Sequence, residues 1–294
     1  MTTDSHDPMA ILEKLLRSPL GYRHAVGILD PQCEEWRPEG KSAYEIVLFT
    51  EAPLIVCRVQ RAYQLLWEPA GIGIQALVRY LAGRELNVLS VLGEPCYRAL
   101  RPLLGEGRWT VSRNYGVTGS QFQPRPSDHV RKLGPCDRSV FERACAAQEG
   151  LQAPSIRRDF DFMDQGLPVK CYGAFAGDRL VGFCSSNPIS RGVTEISKLA
   201  VAQEHRRQGL ASGLLTAQAK EAFARGDAVG YYAGSAGEDL NAMLIKLGFR
   251  ELLSDYRFVP VSSPEQWQAW GRPVGTVGTG PDSGELECEE GAAL

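Results

Sequence analysis

The sequence has few of the features that would take a chain to a membrane, a metal or a nucleic acid. No run of apolar residues approaches the roughly 18 in succession that a bilayer-spanning helix needs. The N-terminal MTTDSHDPMA has neither a basic start nor an apolar core, so no secretory signal is expected. Its four histidines, His6, His24, His129 and His205, are scattered, and no two cysteines are spaced C-x-x-C. No metal site is therefore expected, and no Ser/His/Asp or Cys nucleophile arrangement stands out. Eight cysteines without an export signal read as reduced core residues. A basic excess is missing too: 32 Lys and Arg face 35 Asp and Glu, a formal charge of −3. Nothing in that balance points to nucleic acid or an anionic membrane as a partner. A cytoplasmic location is the expectation.

What remains is a globular composition, 44% hydrophobic over 294 residues, enough for about two domains. Helical periodicity predicts a helix opening at Asp7-Pro8, with Met9, Leu12, Leu15 and Leu16 on one face. After a loop through Cys33–Gly40, strands are predicted at 45–50, 54–60 and 62–67, and a helix over 74–81. A strand at 86–92, a helix near 97–104 and an extended stretch at 109–118 complete this half. Gln123-Pro124-Arg125-Pro126 reads as a linker, which puts an N-terminal α/β domain at 1–125 and a second domain at 130–262. The tail 271–294 is Gly-rich and acidic and is expected to be disordered.

In the second half a helix is predicted at 138–148, and 154–165 is left without assignment. The runs 170–176 and 179–186, joined by Gly177-Asp178, predict a hairpin, and 194–201 a third strand. Helical spacing of Ala211, Leu214, Leu215, Ala219, Ala222 and Phe223 follows. A strand at 229–233, a helix at 239–247 and an extended end at 251–261 close the domain.

The chemistry-bearing run is TEISKLAVAQEHRRQGLASGLL, residues 194–215. A strand ends near Val201, and a turn through His205, Arg206, Arg207, Gln208 and Gly209 opens a helix at Leu210-Ala211. First-turn N–H groups lack intrahelical partners and sit at the positive end of the macrodipole. Gly209 lets an anion approach the main chain, small Ala211 and Ser212 keep the approach open, and Arg206 and Arg207 add charge. The residues describe a phosphate or pyrophosphate cradle; a plain basic surface turn would look the same.

Arg206-x-x-Gly209-x-Ala211 after a strand resembles the (Q/R)-x-x-G-x-(G/A) signature of the GNAT superfamily of N-acetyltransferases. Lys246-Leu247-Gly248-Phe249 resembles the close of that family's final helix. The resemblance covers residues 131–260. It implies a mixed, mostly antiparallel twisted α/β sheet flanked by helices. It also implies an acetyl-CoA site, or one for another acyl-CoA, with the pyrophosphate on Arg206, Arg207, Gln208, Gly209, Leu210, Ala211 and Ser212. Pantetheine would pair with the main chain of Leu199 and Val201, in a gap between Val201 and Tyr231. The implied reaction transfers an acyl group to the primary amine of a small molecule, amino acid or peptide, with a homodimer left open.

Glu195 stands where several family members carry a strand glutamate acting as base. Strict alternation would put it on one face with Ser197, Leu199 and Val201, its pKa raised by their apolar surroundings. A strand-end glutamate in solvent, or paired with the neighbours of Lys198, is the alternative. The family's usual tyrosine acid is replaced by Leu244, which leaves a thiolate departing with the help of water, Ser235, Tyr231, Tyr232 or Tyr256 as substitutes, or a weak or inactive enzyme and a non-catalytic acyl-CoA sensor. Asn241 could contact the pantetheine amides, but a surface position or a local helix contact is the expectation. Gly71–Ala76 fits a weak dinucleotide fingerprint followed by Glu94, the basis of an oxidoreductase alternative. The order of elements over 44–104 parallels a degenerate GNAT half, similar in layout to glycine N-acyltransferases.

Overall fold

A computed structural model describes residues 8–18, 20–30, 45–48, 55–59, 62–67, 73–81, 88–104, 107–147, 151, 154–234 and 238–260. Asp7, the loop Cys33–Gly40, Gly71, Ile72, Ser235 and the tail 271–294 lie outside those residues.

Helices α1 (Pro8–Leu15) and α2 (Arg23–Leu29) precede strands β1 (Glu45–Leu48), β2 (Ile55–Val59) and β3 (Ala62–Trp67). Helix α3 (Ile74–Leu81) then crosses to β4 (Val88–Leu92), which runs parallel to β3. The crossover works because Ile74, Ala76, Leu77 and Leu81 form a stripe at helical spacing that buries against Leu65, Leu89 and Val91. Helix α4 (Glu94–Leu100) adds Cys96 and Leu100 to the same core. Next come β5 (Gly107–Ser112), β6 (Asn114–Val117) and β7 (Val130–Leu133).

The second sheet belongs to α5 (Arg138–Ala147), α6 (Pro154–Asp164), β8 (Lys170–Ala176), β9 (Arg179–Ser190), β10 (Val193–Val201), α7 (Leu210–Ala224), β11 (Ala228–Tyr232) and α8 (Glu238–Lys246). Strands β12 (Arg250–Glu251) and β13 (Asp255–Pro260) end the described chain. Buried Leu210, Leu214, Leu215 and Ala219 of α7 pack on Ile196, Val201 and Val229 on one face. Phe141 of α5 and Phe160 of α6 pack on Phe183 and Ala202 on the other. The stretch 154–164 is helical because that aromatic cluster, with Phe141 and Phe160 rings 5.2 Å apart, rewards a face its polar residues hide from the sequence pattern.

The two sheets do not take their strands from consecutive halves. Among the described residues the first sheet runs β1-β2-β3-β4-β13-β5 and the second β12-β6-β11-β10-β9-β8-β7. Thus β13, from the C-terminal end, lies between β4 and β5, while β6, from the N-terminal half, lies between β11 and β12. The single stretch expected at 109–118 is two strands in different sheets. The switch occurs at Arg113, whose N–H donates to Gly234 O (3.2 Å) and whose carbonyl accepts from Ala233 N–H (2.9 Å). The expected linker is also fastened: Gln123 N–H donates to Leu247 O (2.9 Å) and Arg125 N–H to Thr216 Oγ1 (2.9 Å).

Candidate functional site

Strand β10 pairs in parallel with β11 from Val193 opposite Ala228 to Ile196 opposite Tyr231, and there the pairing stops. On its other side β10 stays antiparallel to β9 as far as Val201 opposite Gly182. The last ladder bond runs from Ala202 N–H to Val181 O (2.8 Å). Antiparallel strands alternate bonded and non-bonded pairs, so Ala200 also bonds to β9 while Leu199 and Val201 aim their main-chain groups the other way. They face the gap that opens beside β11. Val201 O accepts there from Arg206 Nε at 3.1 Å.

A 3-10 turn over Gln203–His205 carries the chain to Arg206, which is extended, and Arg207, at φ 63. Gly209 is the N-cap of α7, left-handed at φ 81 and ψ −2, a conformation natural only to glycine and tolerated by Asn and Asp. The Gly213 N–H to Gly209 O bond (3.0 Å) is the first of the helix, so the N–H groups of Leu210, Ala211 and Ser212 precede the helical ladder. Among the described residues, its chain neighbours aside, a Cβ on Gly209 would meet no atom within 4 Å. That open space lies over the positive end of a 15-residue helix. Gln208 is exposed and reaches back to Glu204 O, while Arg207 NH1 stands 2.7 Å from Asp239 Oδ2 on α8. The fold therefore brings Leu199, Val201 and residues 206–212 to one edge.

Glu195 requires a correction. A β-bulge between Ile196 and Lys198 shifts the phase of β10, so Ile196 shares the core under α7 with Leu199 and Val201. Glu195 consequently faces the opposite side of the sheet, with Lys198, which pairs with Asp159 of α6 (2.6 Å), and Ala200. Alternation fails because a bulge inserts one residue without changing composition. Glu195 is 8% exposed, and its burial is answered by a guanidinium rather than by apolar side chains: Arg23 Nε of α2 donates to Oε2 at 2.5 Å.

Arg23 is itself only 2% exposed. Its NH2 donates to Asn114 Oδ1 (2.9 Å) and its NH1 to Leu20 O (3.4 Å). Asn114 Nδ2 in turn donates to Leu253 O (3.0 Å). Gly230 stands opposite Glu195, and a Cβ there would be 2.7 Å from Arg23 Nε. Its cross-strand neighbour Gly116 would push a Cβ to 2.6 Å from Leu20 Cδ2. The two glycines form a trough that seats Leu20–Arg23 on the sheet. Sequence reasoning missed α2, Arg23 and Asn114; the signal available was the pair of glycines inside β-rich runs, where close backbone approach is their usual meaning.

Of the tyrosines proposed as acids, Tyr231 is buried in the core under α7. Tyr256 stacks on Tyr97 (4.3 Å, 9°), both partly buried against the core of the first sheet. Tyr232 shares the face of Gly230; burial first, then the Asp255 carboxylate, pushes its hydroxyl up to about 12. Leu244 is fully buried among Leu247 and Phe249. Asn241, expected at the surface, is buried on α8, and its Oδ1 has no hydrogen-bond partner among the described residues.

Residues 139–249 match the family model described as the acetyltransferase (GNAT) family. No curated protein matches the chain. Among solved structures it resembles a GNAT-family acetyltransferase of Colwellia psychrerythraea, with TM-score 0.57 and 15% identity over 87% of this chain and 97% of that one. It also resembles a GCN5-related N-acetyltransferase of Kribbella flavida, with TM-score 0.51 and 12% identity over 87% and 96%. A tandem GNAT protein from the clavulanic acid biosynthesis pathway aligns at TM-score 0.55 and 12% identity over 88% and 96%. Identities this low establish the fold alone. The chain thus carries, across residues 139–249, a domain of the acetyltransferase (GNAT) family.

Proposed function

We propose that the protein is an acyl-CoA-dependent N-acyltransferase, with acetyl-CoA as donor and the primary amine of a small molecule, amino acid or peptide as acceptor. The observation that carries this reading is the unpaired edge of β10. Leu199 and Val201 direct main-chain groups into a gap that leads to the open N-terminus of α7. Two further features fit the donor. Among the described residues no atom comes within 4 Å of a Cβ built on Gly209, as an anion needs, and Asn241 Oδ1 is a buried acceptor with no donor, suited to an amide N–H of the pantetheine arm.

Bound acetyl-CoA supplies an acyl group activated as a thioester. The chain's own residues do the rest. The first-turn N–H groups of Leu210, Ala211 and Ser212, with Gly209, hold phosphate. The outward N–H of Leu199 lies on the edge where a carbonyl oxygen gaining charge would find a donor. Glu195, one residue before the gap opens, takes the proton that the attacking amine must lose, directly or through water. The departing thiolate is protonated from solvent, because Leu244 has no proton to give.

Amine-dependent release of free CoA thiol tests the reading. Release across a panel of amines, largely lost in Glu195→Gln, is expected. Thermal protection by CoA without release would leave a binding module, the reading that Leu244 favours. Protection by NAD and not by CoA would overturn both.

A further inference from the structure

We infer that Arg23 is the positioning residue of Glu195: a guanidinium brought from the N-terminal helix α2 that holds the carboxylate ionised and aimed, and so sets the pH at which acyl transfer begins. The inference rests on the reading of Glu195 as the base.

The site is built for this arginine. Burying a guanidinium is costly unless its donors are satisfied, and Arg23 directs Nε to Glu195, NH2 to Asn114 and NH1 to Leu20 O. Three directions fix a planar fork, and the fork fixes Oε2 of Glu195. Gly230 and Gly116 are both needed for the approach, and Gly27 brings α2 against β9, where a Cβ would lie 2.0 Å from Ile189 O. Helix α2 is thus seated on the sheet face that holds the candidate base.

Two other ion pairs are described on this side. Lys198 of β10 pairs with Asp159 of α6, and Asp30 at the end of α2 pairs with Arg191. Asp255 and Arg257 of β13 both act on Tyr232, which also senses Glu195 and stays neutral. Loss of Arg23 would therefore leave Glu195 buried without the guanidinium that touches it. Such a carboxylate favours the protonated form, and a protonated carboxyl accepts nothing from an amine. The direction follows: the acid limb of the rate profile moves to higher pH.

The test is the pH profile of kcat/KM for the amine, measured on the full chain with saturating acetyl-CoA. Arg23→Gln is expected to raise the acid limb by about one to three pH units. Activity should then fall at least tenfold at a pH below the limb and recover well above it, with acetyl-CoA affinity within twofold of wild type. Arg23→Lys, which keeps the charge and loses the fork, should bring the limb part of the way back. A loss of the same factor at every pH, or an unmoved limb, overturns the inference and makes Arg23 a structural residue. Should Arg23→Gln fail to fold, Gly230→Ala crowds Arg23 Nε from the sheet side, and its limb decides in the same two ways. Glu195→Gln separates this inference from the reading beneath it: a limb that survives there refutes Glu195 as base whatever Arg23 does. Without turnover, the carboxyl-carbon resonance missing from 13C-labelled Glu195→Gln reports the same ionisation. It must move up in Arg23→Gln, and a resonance that stays in place refutes the inference.

Discussion

Gly209 is where stability and ligand binding part most cleanly. Its φ of 81 strains most other residues, yet among the described residues a Cβ would touch nothing within 4 Å, so conformation sets the cost. For an ordinary L-residue that cost is about 1–2 kcal/mol, more for a β-branched one, which makes Gly209→Val a poor probe. Asn and Asp tolerate the left-handed region, and Asp at an N-cap also interacts favourably with the dipole of α7. Gly209→Asp should therefore change Tm by no more than about 4 °C, the equivalent of about 1 kcal/mol. In the CoA complex the same carboxylate faces phosphate. A like charge about 5 Å away costs about 1–3 kcal/mol for an effective dielectric between water and 20, roughly five- to 150-fold in affinity per phosphate charge. Gly209→Asn carries the same bulk without the charge and should lose less. Calorimetric titration of CoA and thermal melting of both variants give the comparison, and the Asp penalty should shrink as salt rises. CoA affinity within twofold of wild type in Gly209→Asp would refute the phosphate cradle.

Charge reversal at Arg206→Glu/Arg207→Glu should weaken CoA binding in a salt-dependent way, read by the same titration at low and high ionic strength. The exposed Arg207–Asp239 pair adds little to stability, so any large loss of Tm would trace to Arg206 and its bond to Val201 O. Leu244→Tyr restores the family tyrosine but inserts a larger polar group into a closed core. It should cost about 1–3 kcal/mol by denaturant unfolding without raising turnover. A fragment spanning 130–262 would lack β6, and its β13 would have neither β4 nor β5 to pair with; circular dichroism and heteronuclear NMR should show no cooperative fold.

The readable parts of this protein in its sequence were the short-range ones. Arg206, Gly209 and Ala211 lie within one turn of each other, so the loop that holds them is specified by neighbours in sequence, and the folded loop agrees. The apolar stripe of α3 and the Gly177 turn between β8 and β9 were legible for the same reason. Glu195 is singled out by the sequence but lies on the face opposite to the one alternation predicts, because the bulge after Ile196 depends on pairing with β9 that no alternation encodes. Arg23 stayed hidden because α2, RHAVGIL, is short, has an interior glycine and lacks an acidic first turn. Its partner lies 172 positions away. The exchange of β6 and β13 left no trace either: an extended stretch keeps its period of two whether or not it changes sheets at Arg113. Tyr256 goes with β13 to the first sheet, where it packs partly buried on Tyr97, away from the gap beside β10.

Amide hydrogen exchange on the full chain, with and without acetyl-CoA, tests the central claim most directly, since the account assigns the ligand to particular main-chain groups. Slowed exchange is predicted at Leu199 and Val201 on the open edge of β10 and at Leu210, Ala211 and Ser212 in the first turn of α7, with the ladder between β8 and β9 unchanged. Protection confined to the first sheet around Ile74–Leu81, or no protection at the gap while the ligand is bound, would contradict it.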